Sequence, residues 1–248
     1  MSGNIKTVAF FGASTGIGLS ALKHTLAAGH QCIALCRDPS KLTAIFFADT
    51  LNLKIIKGNA HDISAVSKCL QGENGKLVDA VISTIGGKPT MSGLSIVIDD
   101  PKVCAKGAAT LLEAIANLRH SGVQSNATGT PHIIACSSTG ISRFGRDTPI
   151  GIGTIYHLLG KVPHADKMVM EECLAKGPEV YTIVRPSFLT NGESTKNIRV
   201  GIEDPKTGPE TKAIGYIISR EDAGKWISEN LVLKRNEKYT NKFVVTTY

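Results

Sequence analysis

The sequence feature that most limits the fold of this chain is a glycine-rich turn near its start. Residues 5–18 read IKTVAFFGASTGIG, so an apolar run passes directly into a segment with glycines at Gly12, Gly16 and Gly18. A helical pattern over 16–28 follows. A strand that turns sharply into a helix, with no side chains at the turn, lets a pyrophosphate reach bare backbone and the free N–H groups of the helix. In this context the turn predicts a dinucleotide-binding site.

Short β-branched runs alternate with longer amphipathic stretches along the chain. Strands are predicted at 5–11, 31–36, 53–56, 80–84, 132–136, 181–184 and 243–246, and helices at 16–28, 39–47, 62–70, 101–121, 163–175 and 220–231. This alternation indicates an α/β protein, a single-domain Rossmann fold over residues 1–248 with a doubly wound parallel sheet and helices on both faces. Three segments are expected to be substrate-binding loops, at 87–100, 143–162 and 191–213.

Candidate cofactor contacts lie in the turn and after the next three strand-like runs. The candidates in the turn are Gly12, Ser14, Thr15, Gly16, Ile17 and Gly18. The second run ends in Arg37, whose guanidinium suits a ribose 2′-phosphate and favours NADPH or NADP, although the following Asp38 leaves NADH as an alternative. After the third run, Asn59 is placed to bond the adenine edge. The fourth run ends in ISTIGG, whose small residues Thr84, Ile85 and Gly86 let backbone pass beside the cofactor.

Charge and composition exclude several classes of function. The chain has 28 basic and 21 acidic residues, a formal net charge of +7, and only 5% aromatic residues. The basic residues are scattered, so no nucleic-acid partner is expected, and the charge suits an anionic small ligand. No apolar run nears the roughly 20 residues that span a bilayer, and no targeting segment is evident, so a cytoplasmic location without membrane contact is expected. The cysteines form no metal-ligand pattern, so no metal is expected.

Several segments together resemble the short-chain dehydrogenase/reductase superfamily. The turn GASTGIG matches its standard members. Four segments are similar to its atypical branch, the NmrA-like and biliverdin-IXβ/flavin-reductase-like NAD(P)H-binding proteins: LCRDPSKL at 35–42, AVISTIGG at 80–87, YTIVRPSFLTNG at 181–192 and SREDAGKWI at 219–227. The segment at 156–174 resembles fungal averufin-oxidase-like oxidoreductases. The resemblance implies a sheet in the order 3-2-1-4-5-6 with a seventh strand, and it places Pro186 and Phe188 near the nicotinamide.

The resemblance also implies catalytic residues. Standard members have a serine after the fifth strand and a Tyr-x-x-x-Lys pair on the next helix. The tyrosine donates a proton, the lysine lowers its pKa and binds the nicotinamide ribose, and the serine orients the substrate. Ser138 in CSSTG matches the serine, and Lys167 in HADKMVMEE matches the lysine, which makes it a cofactor contact too. Pro163 stands where the tyrosine is expected, so the sequence departs from the standard mechanism.

Two side chains before Lys167 are candidates for the proton donor. His164 shares its helical face and titrates near neutral pH, although a solvent contact in the first helical turn is an equal alternative. Tyr156 is less favoured, because Pro163 predicts that a new helix begins there and leaves the tyrosine in the preceding segment. The acidic residues of this helix are expected to be first-turn or solvated charges, namely Asp166, Glu171 and Glu172.

Three functions fit these features. The first is an NADPH-dependent oxidoreductase that reduces a hydrophobic carbonyl, quinone, flavin or polyketide-like small molecule, using Ser138 and Lys167. The second is an NmrA-like redox sensor that binds NADP(H) and regulates a partner without turnover, which the missing tyrosine favours. The third is a non-redox ring-opening enzyme on the same fold, with His164 as the acid. The sequence pattern sets neither the substrate nor the oligomeric state.

Overall fold

The centre of the fold is a nine-stranded sheet, seen in a computed structural model of the chain. The structure describes residues 5–248 apart from 48, 88, 93–94, 127–128 and 152, and for 89–92, 95–98 and 153–161 it describes the backbone alone. The strands are β1 (Thr7–Phe11), β2 (Gln31–Cys36), β3 (Leu53–Lys57), β4 (Ala80–Ser83), β5 (Pro89–Ser92), β6 (Ser95–Ile98), β7 (His132–Cys136), β8 (Tyr181–Pro186), β9 (Phe188–Thr190), β10 (Arg199–Asp204), β11 (Gly208–Thr211), β12 (Ile217–Ser219) and β13 (Lys242–Thr247). The helices are α1 (Gly16–Ala27), α2 (Ser40–Thr43), α3 (Ile63–Cys69), α4 (Val103–His120), α5 (Gly153–Lys176) and α6 (Arg220–Ile227), with a π-helical turn at Ser228–Leu233 and a 3-10 turn at Glu237–Tyr239.

Seven strands run parallel in the order β3-β2-β1-β4-β7-β8-β13. One face of the sheet packs against α3, α4 and α5, and the other against α1 and α6. This arrangement confirms the predicted Rossmann fold and strand order. Because parallel strands end at one edge, the residues that follow β1, β2, β4 and β7 meet there: Gly12, Arg37, Thr84 and Ser137.

The sheet continues beyond β13 with two antiparallel strands, β10 and β11. Both lie within 191–213, so the prediction that this segment is a loop is wrong. The usual alternation of buried apolar and exposed polar residues is not visible in the sequence of β10. Its buried positions are Gly201 and Glu203, whereas the apolar residues Val200 and Ile202 are only partly buried against the core. The predicted loop at 87–100 likewise contains an antiparallel pair, β5 and β6.

Helix α5 begins at Gly153 and passes through Pro163, so the prediction that a helix starts at this proline is wrong. The second half of the predicted loop 143–162 is therefore helical. Proline is disfavoured inside a helix because it removes one backbone hydrogen bond and crowds the preceding turn. Packing of α5 along α4 outweighs this local preference. Tyr156 and Lys167 consequently share one helix, about 16 Å apart along its axis, and the Tyr156 side chain lies outside the described residues.

A buried arginine joins α5 to the sheet. Arg185 is 1% exposed, and its Nε and Nη2 donate to the two carboxylate oxygens of Glu171 at 2.9 and 2.7 Å. Its Nη1 donates to Glu203 Oε1 at 2.8 Å, and the guanidinium carbon lies 4.2 Å from the centre of the Phe243 ring. Glu171 is buried, so the prediction that it is a solvated charge is wrong: the helix face that carries it meets β8 rather than water.

A buried neutral histidine, His132, lies at the amino ends of the parallel strands, where β7 begins. Thr182 Oγ1 donates to Tyr239 O at 2.8 Å, so it can only accept a hydrogen bond from His132 Nε2, which lies 2.8 Å away. This fixes the proton on Nε2. Burial, together with the positive charges of Arg235 and Lys6, lowers the pKa of His132 to about 4.

This histidine should make the protein less stable in mild acid. An unfolded histidine has a pKa near 6.5, so between pH 6.5 and 4 the unfolded state binds the extra proton. We expect the free energy of unfolding to fall through this window by up to about 3 kcal/mol. Urea unfolding from pH 4 to 7 measures it, and the His132→Gln variant should show a flatter profile. The exposed His120→Gln variant is the control, and equal pH profiles for all three proteins would contradict the prediction.

The described residues contain neither a membrane-spanning helix nor a metal-ligand cluster. No helix there is both long and apolar enough to cross a bilayer. No three histidine, cysteine, aspartate or glutamate side chains in that part of the chain are grouped closely enough to hold a metal ion. All six cysteines are free thiols.

Candidate functional site

The glycine-rich turn closes around the residue that follows β4. Gly12 has φ of +88°, which favours glycine, and a Cβ there would lie 2.9 Å from the Thr84 backbone. A Cβ at Gly18 would lie 2.3 Å from Thr84 Oγ1 and 2.6 Å from the Gly12 carbonyl oxygen. The Thr84 hydroxyl donates to that carbonyl at 3.1 Å. These contacts explain why neither glycine position has room for a side chain.

The first turn of α1 is open to an anion. Its N-cap residue, Thr15, makes no side-chain capping bond, and the first turn holds no acidic residue. Gly16 begins the helix with φ of +57° and presents no side chain. Uncapped N–H groups and the positive end of the helix dipole attract phosphate. The turn therefore fits the pyrophosphate of a dinucleotide, and Ser14 lies beside it with its Oγ 3.0 Å from Cys36 Sγ.

A cleft of about 310 Å³ opens between this turn and the ends of β2, β3 and β4. It brings together eight of the predicted cofactor contacts: Gly12, Ser14, Thr15, Arg37, Asn59, Thr84, Ile85 and Gly86. The other predicted contacts lie outside its lining: Gly16, Ile17, Gly18, Lys167, Pro186 and Phe188. Sequence reasoning missed four polar residues that line it: Lys41, His61, Asp99 and Asp100. Of these, Lys41 was visible as a second basic residue in LCRDPSKL.

One carboxylate and two cations lie where the cleft passes β2. Arg37 is exposed and lines the cleft, as does Lys41 on α2. Asp38 Oδ1 accepts hydrogen bonds from Ser40 N at 3.2 Å and from Ser40 Oγ at 2.6 Å. The Ser40 hydroxyl lowers the pKa of Asp38 and keeps its carboxylate ionised at the start of α2. The acidic side chain is thus already engaged, while the two basic ones face the cleft.

The segment after β3 is tied to the start of α4. Asn59 Oδ1 accepts a hydrogen bond from His61 N at 3.2 Å, which leaves the Asn59 amide nitrogen available to a ligand. His61 Nε2 lies 3.0 Å from Val103 O, and its Nδ1 lies 3.9 Å from Asp100 Oδ2. His61 lies just before α3 in the sequence, and its contact with α4 becomes visible only in three dimensions.

Two neighbouring residues of α5 contact different elements. Lys167 Nζ donates to the carbonyl oxygen of Ser137, just after β7, at 3.0 Å. Asp166 is 6% exposed and accepts hydrogen bonds from Cys104 N at 2.8 Å and Ala105 N at 2.9 Å, in the first turn of α4. The prediction that Asp166 is a charge in the first turn of its own helix is wrong, because α5 begins earlier and Asp166 caps another helix.

Two buried hydroxyls lie at the end of β7 beside this lysine. In the described part of the chain, neither Ser137 Oγ nor Ser138 Oγ has a hydrogen-bond partner. A buried polar group without a partner is costly in a protein interior and is typical of a site that a ligand completes. His164 lies one turn before Lys167 on α5 and is half-buried. The structure therefore brings Lys167 to the strand end that carries Ser138.

The strand end next to β7 carries an exposed aromatic residue. Pro186 ends β8 and accepts a hydrogen bond from Thr139 N at 3.2 Å through its carbonyl oxygen. Phe188 begins β9, which pairs in parallel with β12 at Ile217. Its side chain is 61% exposed. A phenylalanine held open at the carboxyl edge of the sheet offers an apolar wall to a ligand.

The segment that forms the turn and the cleft matches a known protein family. Residues 12–232 match the model of a family described as NAD(P)H-binding. The chain belongs to this NAD(P)H-binding family. Membership confirms the predicted class of cofactor and the resemblance to NAD(P)H-binding proteins, while the narrower likeness to averufin-oxidase-like enzymes stays a prediction.

Two fungal relatives of this chain are named as redox enzymes. A reductase of Aspergillus terreus, pytE, is 40% identical over 275 aligned positions that cover all of both chains. An oxidase of Aspergillus niger, pynE, is 31% identical, and the alignment covers 97% of this chain and 98% of the relative. The chain is accordingly a member of an NAD(P)H-binding family of oxidoreductases.

Solved structures share the fold of this NAD(P)H-binding protein. A short-chain dehydrogenase/reductase from Veillonella parvula in complex with NADP superposes with a TM-score of 0.71 at 14% identity, covering 98% of this chain and 94% of the other. ChuY, an anaerobillin reductase from Escherichia coli O157:H7, gives 0.67 at 18% identity, with 97% and 96% covered. At these identities the likeness establishes the Rossmann fold alone.

Proposed function

We propose that this oxidoreductase uses NADPH to reduce a hydrophobic carbonyl, quinone, flavin or polyketide-like small molecule. One observation supports the choice of NADPH. Ser40 hydrogen-bonds to Asp38, and the cations Arg37 and Lys41 line the cleft beside it. The bonds from Ser40 occupy Asp38 Oδ1 and hold the carboxylate at the start of α2, which weakens its competition for the ribose 2′-hydroxyl of NADH, whereas the cations suit a 2′-phosphate.

Residues near the ends of β7 and β8 would bind the substrate, stabilise charge and donate a proton. NADPH, when bound, would supply the hydride. Ser138, whose hydroxyl has no hydrogen-bond partner among the described residues, binds and orients the substrate oxygen. Lys167, held at the Ser137 carbonyl, places an ammonium where it binds the nicotinamide ribose and stabilises negative charge on that oxygen. Phe188 provides an apolar surface for the substrate, and His164, one turn from the lysine, is the candidate proton donor.

Removing Arg37 should weaken NADPH binding selectively. The Arg37→Ala variant loses charge-assisted contacts to the 2′-phosphate, so we expect the Kd for NADPH to rise roughly 10- to 100-fold and that for NADH to change little. Titration followed by nucleotide fluorescence measures both constants. Arg143→Ala, which removes an exposed arginine that does not line the cleft, is the matched control. Equal weakening of both nucleotides, or of neither, would contradict the 2′-phosphate assignment.

A redox sensor remains the second candidate, because Pro163 replaces the tyrosine that standard members place four residues before the lysine. A sensor binds NADPH and NADP but oxidises no NADPH with any substrate. Screening quinones, flavins and aromatic ketones by loss of NADPH absorbance separates the two functions. Turnover with any of these classes supports the reductase, and tight binding without turnover across all of them favours the sensor.

A further inference from the structure

Arg220 lies against the glycine-rich turn although it comes more than two hundred residues later in the sequence. It is the first residue of α6, and Ser219 caps that helix by accepting a hydrogen bond from Asp222 N at 2.9 Å. A Cβ placed on Gly16 would lie 3.2 Å from Arg220 Cδ and 3.8 Å from its Nε. The stem of the arginine therefore crosses the residue at which α1 begins.

Close packing of α6 on α1 fixes this position. Gly224 lies so near α1 that a Cβ there would be 2.4 Å from Ile17 O and 2.5 Å from the Ser20 side chain. Ser20 Oγ donates to Glu221 O at 2.6 Å. At Gly224, α6 thus approaches α1 with no side chain of its own in between, and the first turn of α6 is held at the first turn of α1.

The guanidinium of Arg220 uses one nitrogen to hold the segment after β8. Nη1 lies 3.3 Å from Leu189 O, 3.2 Å from Thr190 O and 2.8 Å from Asn191 Oδ1. Among the described residues, neither Nε nor Nη2 donates a hydrogen bond. A guanidinium carries five N–H groups, and Nε with Nη2 contributes three of them. The Nε–Nη2 edge of the guanidinium therefore has three N–H groups available to a ligand, and Nε lies on the side of Gly16.

We propose that Arg220 binds the cofactor's pyrophosphate through Nε and Nη2 while its Nη1 holds residues 189–191 beside the nicotinamide half of the site. The proposal rests on the proposed binding of NADPH, since the turn at Gly16 is where the pyrophosphate would lie. The geometry of a guanidinium edge matches two phosphate oxygens. The two negative charges of the pyrophosphate balance the positive charge of Arg220, which neutral carbonyl oxygens do not. Arg220 thereby couples pyrophosphate binding to the position of the strand that begins with Phe188.

The experiment compares ligands with and without a pyrophosphate. The Kd of NADP and of 2′-AMP is measured by calorimetry for the wild-type protein and for Arg220→Ala and Arg220→Lys. We expect the Kd of NADP to rise roughly 10- to 100-fold in Arg220→Ala, with a smaller rise in Arg220→Lys. The Kd of 2′-AMP, which reaches only the Arg37 end, should stay within about twofold.

The matched control is Arg199→Ala. Arg199 also donates to backbone carbonyl oxygens, at 3.0 Å to Ile214 O and at 2.5 Å to Tyr248 O, but these belong to other segments. Its removal should leave both constants unchanged. If Arg220→Ala does not fold, Arg220→Lys keeps the stem and the charge and decides the question alone.

Three outcomes overturn the proposal. Unchanged NADP binding in both Arg220 variants shows that the arginine does not contact the pyrophosphate. An equal loss for NADP and 2′-AMP shows a general structural role. If the wild-type protein binds 2′-AMP and NADP with the same affinity, the pyrophosphate adds nothing to binding. Failure of the wild-type protein to bind either ligand would instead refute the proposed NADPH function, so the two failures are distinguishable.

Discussion

Replacing Lys167 with methionine should lower the turnover number at least 100-fold while the folded structure is retained. The ammonium is held at the Ser137 carbonyl oxygen, one residue before Ser138, and the methionine stem keeps most of the packing volume. A positioned group that transfers or stabilises a proton in the transition state contributes about 10²- to 10⁴-fold. Steady-state NADPH oxidation with the best substrate from the screen measures the effect.

Lys176→Met is the control for this variant, since Lys176 is on the same helix, is exposed and pairs with Glu172 at 2.6 Å. It should keep wild-type turnover. Retention of turnover within about threefold in Lys167→Met would exclude the lysine from the chemistry, because the expected loss is far larger. The Kd for NADPH in each variant separates a loss of chemistry from a loss of ribose binding.

Replacing Arg185 with methionine should lower the free energy of unfolding by about 3–5 kcal/mol. The variant leaves Glu171 and Glu203, both less than 10% exposed, without their cation in the interior. Uncompensated buried charge is among the most destabilising single changes because desolvation is no longer offset by pairing. Urea unfolding at neutral pH gives the difference directly.

The carboxylates provide an internal check on this explanation. Adding Glu171→Gln and Glu203→Gln to Arg185→Met should restore part of the lost stability, since no buried charge then remains in this cluster. Arg143→Met, which breaks an exposed pair with Glu172 at 3.5 Å, should cost less than about 1 kcal/mol. A triple variant no more stable than Arg185→Met would show that packing against Phe243, rather than charge, accounts for the loss.

The cofactor half of the site could be predicted from the sequence because it is built from strand ends. A parallel sheet brings Gly12, Arg37, Asn59 and Thr84 to one edge whatever the details of the loops. Each of these residues lies within three residues of the end of an apolar run, so local pattern was enough. The cleft that gathers eight of the predicted contacts reflects this geometry.

The catalytic half depends on tertiary contacts that no local pattern carries. Pro163 has the same sequence signature at the start of a helix as inside one, and only packing against α4 sets the difference. Asp166 and Glu171 have the spacing of ordinary surface charges on a helix. Their true partners are the first turn of α4, 62 residues before Asp166, and Arg185, 14 residues after Glu171 on the other side of a turn. Arg220 escaped prediction for the same reason.

The nine-stranded sheet ends in two strands that discourage pairing with another chain. At one edge β11 has only four residues, and Pro209 among them lacks a backbone N–H. At the other edge, the exposed side chains of β3 include Lys54 and Lys57. Short strands, proline and lysine at a sheet edge oppose intermolecular strand addition. We therefore expect concentrated samples to resist the growth of continuous sheets between molecules, and any assembly of copies to form through helical surfaces.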